Sequence, residues 1–129
     1  MIIGLGTDIV EIERVRKLLN GSIGEAFLER VYSAGELAAG RERGSGGYEY
    51  YAGRWAAKEA LSKALGCGIG ENCHWQDIEI GNDAIGRPLV TLGGAAAETL
   101  YRLHPNATVH LSISHERRYA TAMVIIEAN

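Results

Sequence analysis

The segment from Trp55 to Leu65 constrains this chain more than any other. Wound as a helix at about 100° per residue, it gathers Ala56, Ala57, Ala60, Leu61, Ala64 and Leu65 on one side, a face suited to burial against a sheet. Trp55, Lys58, Glu59, Ser62 and Lys63 fall within roughly 140° of arc on the other side. A carboxylate can hold a hard cation and ammonium groups can neutralise phosphate oxygens, so this second face suits a metal–polyphosphate complex. A plainer reading is open as well, because Glu59 and Lys63 are an i,i+4 pair of the kind found on solvated helices.

The first ten residues, Met-Ile-Ile-Gly-Leu-Gly-Thr-Asp-Ile-Val, read as an apolar strand with glycines at 4 and 6 and one carboxylate, Asp8, near its end. Glycine weakens a strand and marks the close approach of a ligand or of another backbone. Asp8 and Glu11 also have capping-box spacing ahead of an amphipathic helix, which makes Asp8 a candidate N-cap. The two roles are compatible, since a carboxylate just before a helix can also face a cleft.

Further along, the pattern predicts a strand over 2–8, a helix over 9–20 and a short helix over 23–31. Ser22 with Glu25, and Ser33 with Glu36, match the capping box, and the second pair supports a helix over 34–41. Gly44-Ser45-Gly46-Gly47 reads as a flexible loop, the long helix runs over 49–65, and Gly66 is placed to end it. Short strands over 77–81 and 88–92 flank a turn, a helix follows from Gly94 to His104, and 107–115 with 119–127 form an antiparallel hairpin. In the hairpin's first arm Val109, Leu111 and Ile113 share one face, and Thr108, His110, Ser112 and Ser114 the other. The second arm is apolar on both sides, as a central or interface strand is. A sheet carrying helices without regular βαβ alternation implies an α+β fold, an antiparallel sheet packed with helices, with residues 1–129 as one domain.

Charge narrows the partners. Thirteen basic against sixteen acidic residues leave a net charge of −3, which argues against general nucleic-acid binding. On the first helix Ile12, Val15, Leu18 and Leu19 form the apolar stripe, and Glu13, Arg14, Arg16 and Lys17 point outward. These cations either receive an acidic partner or simply solubilise the surface. No apolar run approaches the roughly 20 residues that span a bilayer, and no signal-peptide pattern opens the chain; the expectation is a cytoplasmic protein with no membrane segment. Cys67 and Cys73 flank a glycine-rich turn before His74 without the spacing of a zinc site, and read as reduced, incidental thiols.

Two stretches taken together resemble a known family. Gly4-Leu5-Gly6-Thr7-Asp8-Ile9-Val10-Glu11-Ile12-Glu13-Arg14 and Arg54-Trp55-Ala56-Ala57-Lys58-Glu59-Ala60-Leu61-Ser62-Lys63 look like the two signatures of the 4′-phosphopantetheinyl transferases. The length, with Ser112-Ile113-Ser114-His115 and Tyr119-Ala120, is similar to their short bacterial type, the holo-[acyl-carrier-protein] synthases. Phe27-Leu28-Glu29-Arg30, Asp77-Ile78-Glu79-Ile80 and Gly86-Arg87-Pro88 match between the two stretches and the end of the chain. The order and separation of these pieces carry the resemblance.

The resemblance implies transfer of 4′-phosphopantetheine from coenzyme A to a serine of an apo acyl carrier protein, in fatty acid biosynthesis, with release of 3′-phosphoadenosine 5′-phosphate. It implies Mg²⁺ held by Asp8 and Glu59, with Lys58 beside them as a third catalytic residue. Arg54, Lys58, Ser62, Lys63, Gly86, Pro88 and His110 become the coenzyme A contacts, and Arg14 the docking residue for the carrier protein. Val10 stands where larger, duplicated relatives carry a further acidic residue, and the Arg41–Tyr51 loop is richer in glycine than the family leads one to expect. The serine proton passes either to Glu59 or to a hydroxide on the cation. A homotrimer with its sites at subunit interfaces is implied as well. Two other readings use the same residues: a Mg²⁺-dependent hydrolase of nucleotide pyrophosphates, and a non-catalytic module that binds coenzyme A or a carrier protein.

Overall fold

Residues 4, 6 and 8 share one side of a strand, and two of them lack a side chain, so a helix can settle on that side until its backbone touches the strand. This contact organises the computed structural model, which describes residues Met1–Asn129. Strand β1 (Ile2–Glu11) runs straight into α1 (Ile12–Asn20), followed by α2 (Gly24–Val31), α3 (Ala34–Glu42) and the long helix α4 (Gly47–Leu65). A small antiparallel ribbon of β2 (Ile78–Asn82) and β3 (Pro88–Leu92) follows, then α5 (Gly94–Tyr101) and the hairpin β4 (Thr108–His115) and β5 (Tyr119–Glu127).

The main sheet has the order β1-β5-β4, antiparallel throughout, so the last strand lies between the first and the fourth. Its inner face presents Val10 from β1 and Ala120, Ala122, Val124 and Ile126 from β5, all buried. Against it lie Ala56, Ala57, Ala60, Leu61 and Ala64 of α4, as the alanine face of that helix requires. A methyl carbon on Gly4 would strike the Ala64 carbonyl; one on Gly6 would strike the Ala60 carbonyl and stand 2.8 Å from the Ala64 nitrogen. The glycines therefore mark the approach of a backbone, and Asp8, next on the same side, is brought to the helix.

Several local expectations are corrected. Asp8 is not a helix cap: pairing with β5 continues through Glu11↔Tyr119, so the strand consumes residues 9–11 and α1 begins at Ile12 behind an uncapped Glu11. The Ser22–Glu25 box is also absent, because the chain enters α2 at Ile23, whereas the Ser33–Glu36 box forms in full. The glycine run is ordered as one 3₁₀ turn over Gly44–Gly46 leading directly into α4. At the other end Gly66 adopts φ +85° and closes α4, as its position predicts. Helix α5 stops at Tyr101 rather than His104, with a final turn tied by the His104 N–H to the Leu100 carbonyl just before Pro105.

The Gly6–Ala60 contact sets a quantitative expectation. Gly6→Ala forces two backbones apart and should cost about 3 kcal/mol in urea unfolding, whereas Thr7→Ala on the opposite side should cost less than about 1 kcal/mol.

Candidate active site

The strand–helix contact places the Asp8 carboxylate beside α4. Lys63 Nζ donates to Asp8 Oδ1 and to the Thr7 carbonyl, both at 3.0 Å, with the lysine about half exposed. Glu59, one turn earlier on the helix, is half-buried. Burial and the Asp8 charge push its carboxyl above the usual range, against the opposing pull of Lys63 and of the Trp55 indole. The Trp55 N–H is buried and has no hydrogen-bond partner of full geometry, and the Arg14 guanidinium lies 5.3 Å from the indole ring centre. A carboxylate pair, a lysine with one N–H to spare, and an arginine-capped tryptophan thus meet where β1, α1 and α4 converge.

This donor set fits a hard divalent cation. Burial and the Asp8 charge raise the proton affinity of Glu59, and Mg²⁺ commonly takes one or two protein carboxylates with phosphates and water. No group of three or more His, Cys, Asp or Glu side chains is assembled anywhere in the chain, so substrate oxygens and water would complete the shell.

The remaining sequence-derived residues are dispersed, and two, Lys58 and Ser62, have fully buried side chains. Lys58 does not share the open face with Glu59: its side chain and that of Glu36 are both 0 % exposed. Its Nζ donates to Glu36 Oε1 at 2.8 Å, to the Val31 carbonyl at 2.6 Å and to the Trp75 carbonyl at 3.2 Å, which exhausts its three donors. Glu36 Oε1 also accepts the Ser33 N–H and Oε2 accepts the Ile80 N–H, each at 2.8 Å. One buried ion pair therefore ties α2, α3, α4 and β2 together, and Lys58 has no N–H left for a phosphate. Ser62 is likewise fully buried, and its hydroxyl bonds back to the Glu59 carbonyl at 2.7 Å within the helix.

Arg54 lies toward the ribbon. Its guanidinium donates to Asn82 Oδ1 at 2.8 Å, Asn82 donates to the Gly86 carbonyl at 2.9 Å, and the Arg54 Nε has no partner. Arg54 and Arg43 both lie over the Tyr50 ring, 4.3 and 4.6 Å from its centre. Gly86, at φ +89°, and Pro88 belong to this second cluster and not to the carboxylate pair. His110 is on neither: it projects from the outer face of β4, 3.0 Å from Glu127 Oε1, on the side of the sheet opposite α4. Sequence reasoning missed Glu36, Asn82, Tyr50 and Arg43. The capping box at Ser33 singled out Glu36 for a local role, but nothing nearby in sequence reveals its bond to Ile80. Cys67 is an exposed free thiol; Cys73 is buried, and that burial pushes its thiol up to about 12.

Two measurements follow from this geometry. Lys58→Met strands the Glu36 carboxylate and should cost about 3–5 kcal/mol, with part recovered in Lys58→Met/Glu36→Gln. Glu59 binds its proton more tightly folded than unfolded, so its contribution is fully present below pH 4.5 and is lost as pH rises through the raised folded value. Without divalent metal, Glu59→Gln should therefore melt higher than the parent at pH 7, and the difference should vanish below pH 4.5.

The family model of the 4′-phosphopantetheinyl transferase superfamily matches residues 4–124. The chain is 50% identical over 127 residues to a holo-[acyl-carrier-protein] synthase of Aliivibrio fischeri, covering 98% of both chains. It is 49% identical over 130 residues to that of Vibrio cholerae, again over 98% of both. Its fold is similar to crystal structures of holo-[acyl-carrier-protein] synthases. That from Bacillus anthracis, in complex with CoA (3′,5′-ADP), gives a TM-score of 0.83 at 38% identity over 100% of this chain and 99% of that one. That from Helicobacter pylori, in complex with coenzyme A, gives 0.81 at 34% identity over 95% and 99%.

Proposed function

The chain belongs to the 4′-phosphopantetheinyl transferase superfamily, among its holo-[acyl-carrier-protein] synthases, and we propose that it moves phosphopantetheine from coenzyme A to a serine of an apo acyl carrier protein. The serine oxygen gives up its proton, to Glu59 or to a hydroxide, and forms a new bond to the phosphorus that carries pantetheine. The bond from that phosphorus to the bridging oxygen breaks, and 3′-phosphoadenosine 5′-phosphate departs with the negative charge. Fatty acid biosynthesis in the cytoplasm is the setting the family resemblance supports.

The observation that carries this reading is the meeting of Asp8, Glu59 and Lys63 on a single strand–helix contact. Asp8 and Glu59 would hold Mg²⁺, which when bound supplies positive charge against the pyrophosphate. Lys63, with two N–H groups committed to Asp8 and Thr7, offers its third to a phosphate oxygen. Arg54, braced by Asn82 and Tyr50, lies toward the ribbon, where Gly86 and Pro88 would border the nucleotide. Arg14 sits above Trp55 and lines a groove with Lys17, Leu18 and Ile23, a fitting place for the carrier protein to dock.

The homotrimer that the family resemblance implies accords with the place of His110. That residue lies across the sheet from Asp8 and Glu59, so a pocket using all three must draw His110 from a second copy. The outer sheet face offers the means: Leu5, Ile9 and Met123 are exposed there, framed by Thr7, Ser112, Ser114 and Thr121.

Intact-mass spectrometry of an apo acyl carrier protein incubated with the protein, coenzyme A and Mg²⁺ should show one added phosphopantetheine, lost on chelation. Glu59→Ala should lower turnover on the order of 10³-fold with the fold retained. Coenzyme A cleaved without modification of the carrier protein would instead favour the pyrophosphate hydrolase. Intact coenzyme A, bound equally by parent and Glu59→Ala, would favour the binding module.

A further inference from the structure

The β4–β5 turn carries three consecutive charged residues, Glu116, Arg117 and Arg118, that none of the chemistry above uses. The turn is fixed against the start of α1, where the Ile12 N–H donates to the Arg118 carbonyl at 2.8 Å. Its acidic member is spent internally: Glu116 Oε1 accepts the backbone N–H of Arg118 at 2.7 Å and of Tyr119 at 2.8 Å, which holds its carboxyl below the usual range. Arg117 and Arg118 are both exposed, and neither has a carboxylate partner. They line a shallow groove with Glu11, Ile12 and Glu13, and Glu11 also borders the groove of Arg14, Lys17 and Ile23. Of the carboxylates on this surface, Glu13 is bound by Arg16. Glu11, which no cation binds, lies between the two grooves, so Arg117 and Arg118 form a cationic point at the hairpin tip separate from Arg14 and Lys17 on α1, on a chain whose net charge is −3.

We propose that Arg117 and Arg118 form a second docking point for the acceptor protein, engaging an acidic patch on it while α1 engages another. This rests on the reading that a carrier protein is the acceptor, and it adds residues from a different element to the contact through Arg14. Two fixed points separated along one surface orient a partner, whereas a single point only tethers it. Orientation decides whether a serine reaches the carboxylate pair. Exposed, unpaired cations at an interface rim act mainly on encounter and salt sensitivity.

The test is Arg117→Glu/Arg118→Glu, with Arg117→Gln/Arg118→Gln as a milder variant should the reversal unfold and Arg102→Glu at the end of α5 as the control that matches the Gln pair's change in net charge. Steady-state transfer should show KM for the apo carrier protein raised about ten-fold, with kcat and KM for coenzyme A unchanged. The dependence of that KM on salt should flatten, and Arg102→Glu should match the parent. Direct titration of apo carrier protein onto the protein without coenzyme A should show the same weakening, a readout that does not need turnover. Unchanged KM and binding in both double variants would overturn the proposal, as would a rise in KM for coenzyme A alone, which would make the tip a nucleotide contact. If the parent binds the carrier protein but transfers nothing, the functional reading fails while the titration still decides the docking point; no binding by the parent overturns both.

Discussion

The meeting of Asp8 with the long helix hangs on the absence of two methyl groups. Gly4 and Gly6 let β1 lie directly on the backbone of α4, closer than any side chain permits. Because residues alternate sides along a strand, the next residue on that side, Asp8, then has to meet the helix at the height of Glu59 and Lys63. Alanine at 56, 57, 60 and 64 is the helix's half of the same arrangement. A larger residue on either surface would move one carboxylate relative to the other, so the core contact and the site geometry are one constraint.

A second constraint holds the outlying parts. The Lys58–Glu36 pair is costly to desolvate, and it is tolerable because each of its polar atoms finds a partner. Those partners are the end of α2, the start of α3, the 3₁₀ turn at Trp75 and the first strand of the ribbon. Adjacent residues on one helix thus divide the labour. Lys58 faces inward and fixes the scaffold, while Glu59 lies half-buried beside Asp8.

Most of the element order was legible in the sequence because its markers are local: Gly66 past the helix end, the Ser33–Glu36 box, the alternation of Val109, Leu111 and Ile113. The Asp8 capping reading failed because β5 outbid a helix for residues 9–11, and that strand lies more than a hundred residues away. In the site, the pairing of Asp8 with Glu59 came from the family resemblance, while the residues themselves marked only a strand that a backbone or ligand approaches and a helix arc carrying Glu59 and Lys63. The burial of Lys58 was not, since an arc gives direction but not what lies there. The alternation within β4 puts His110 opposite Val109, Leu111 and Ile113, but that Asp8 shares the face of those three is set by the β1–β5–β4 register, which no pattern within β4 encodes.

The strand order β1-β5-β4 also sets the timing of assembly. Strand β1 is translated first, yet its only ladder partner is β5, with Thr121 Oγ1 reaching back 113 residues to the Asp8 carbonyl. Until synthesis has run through Glu127, β1 has no neighbour, and Leu5 and Ile9 sit on an open strand edge. The helices from α1 to α4 can form early from local contacts, but the carboxylate pair is completed only when the closing strand slides between its neighbours. Nascent chains of this topology therefore carry an unpaired β1 until β5 is made, the condition under which an open strand edge invites pairing with another chain.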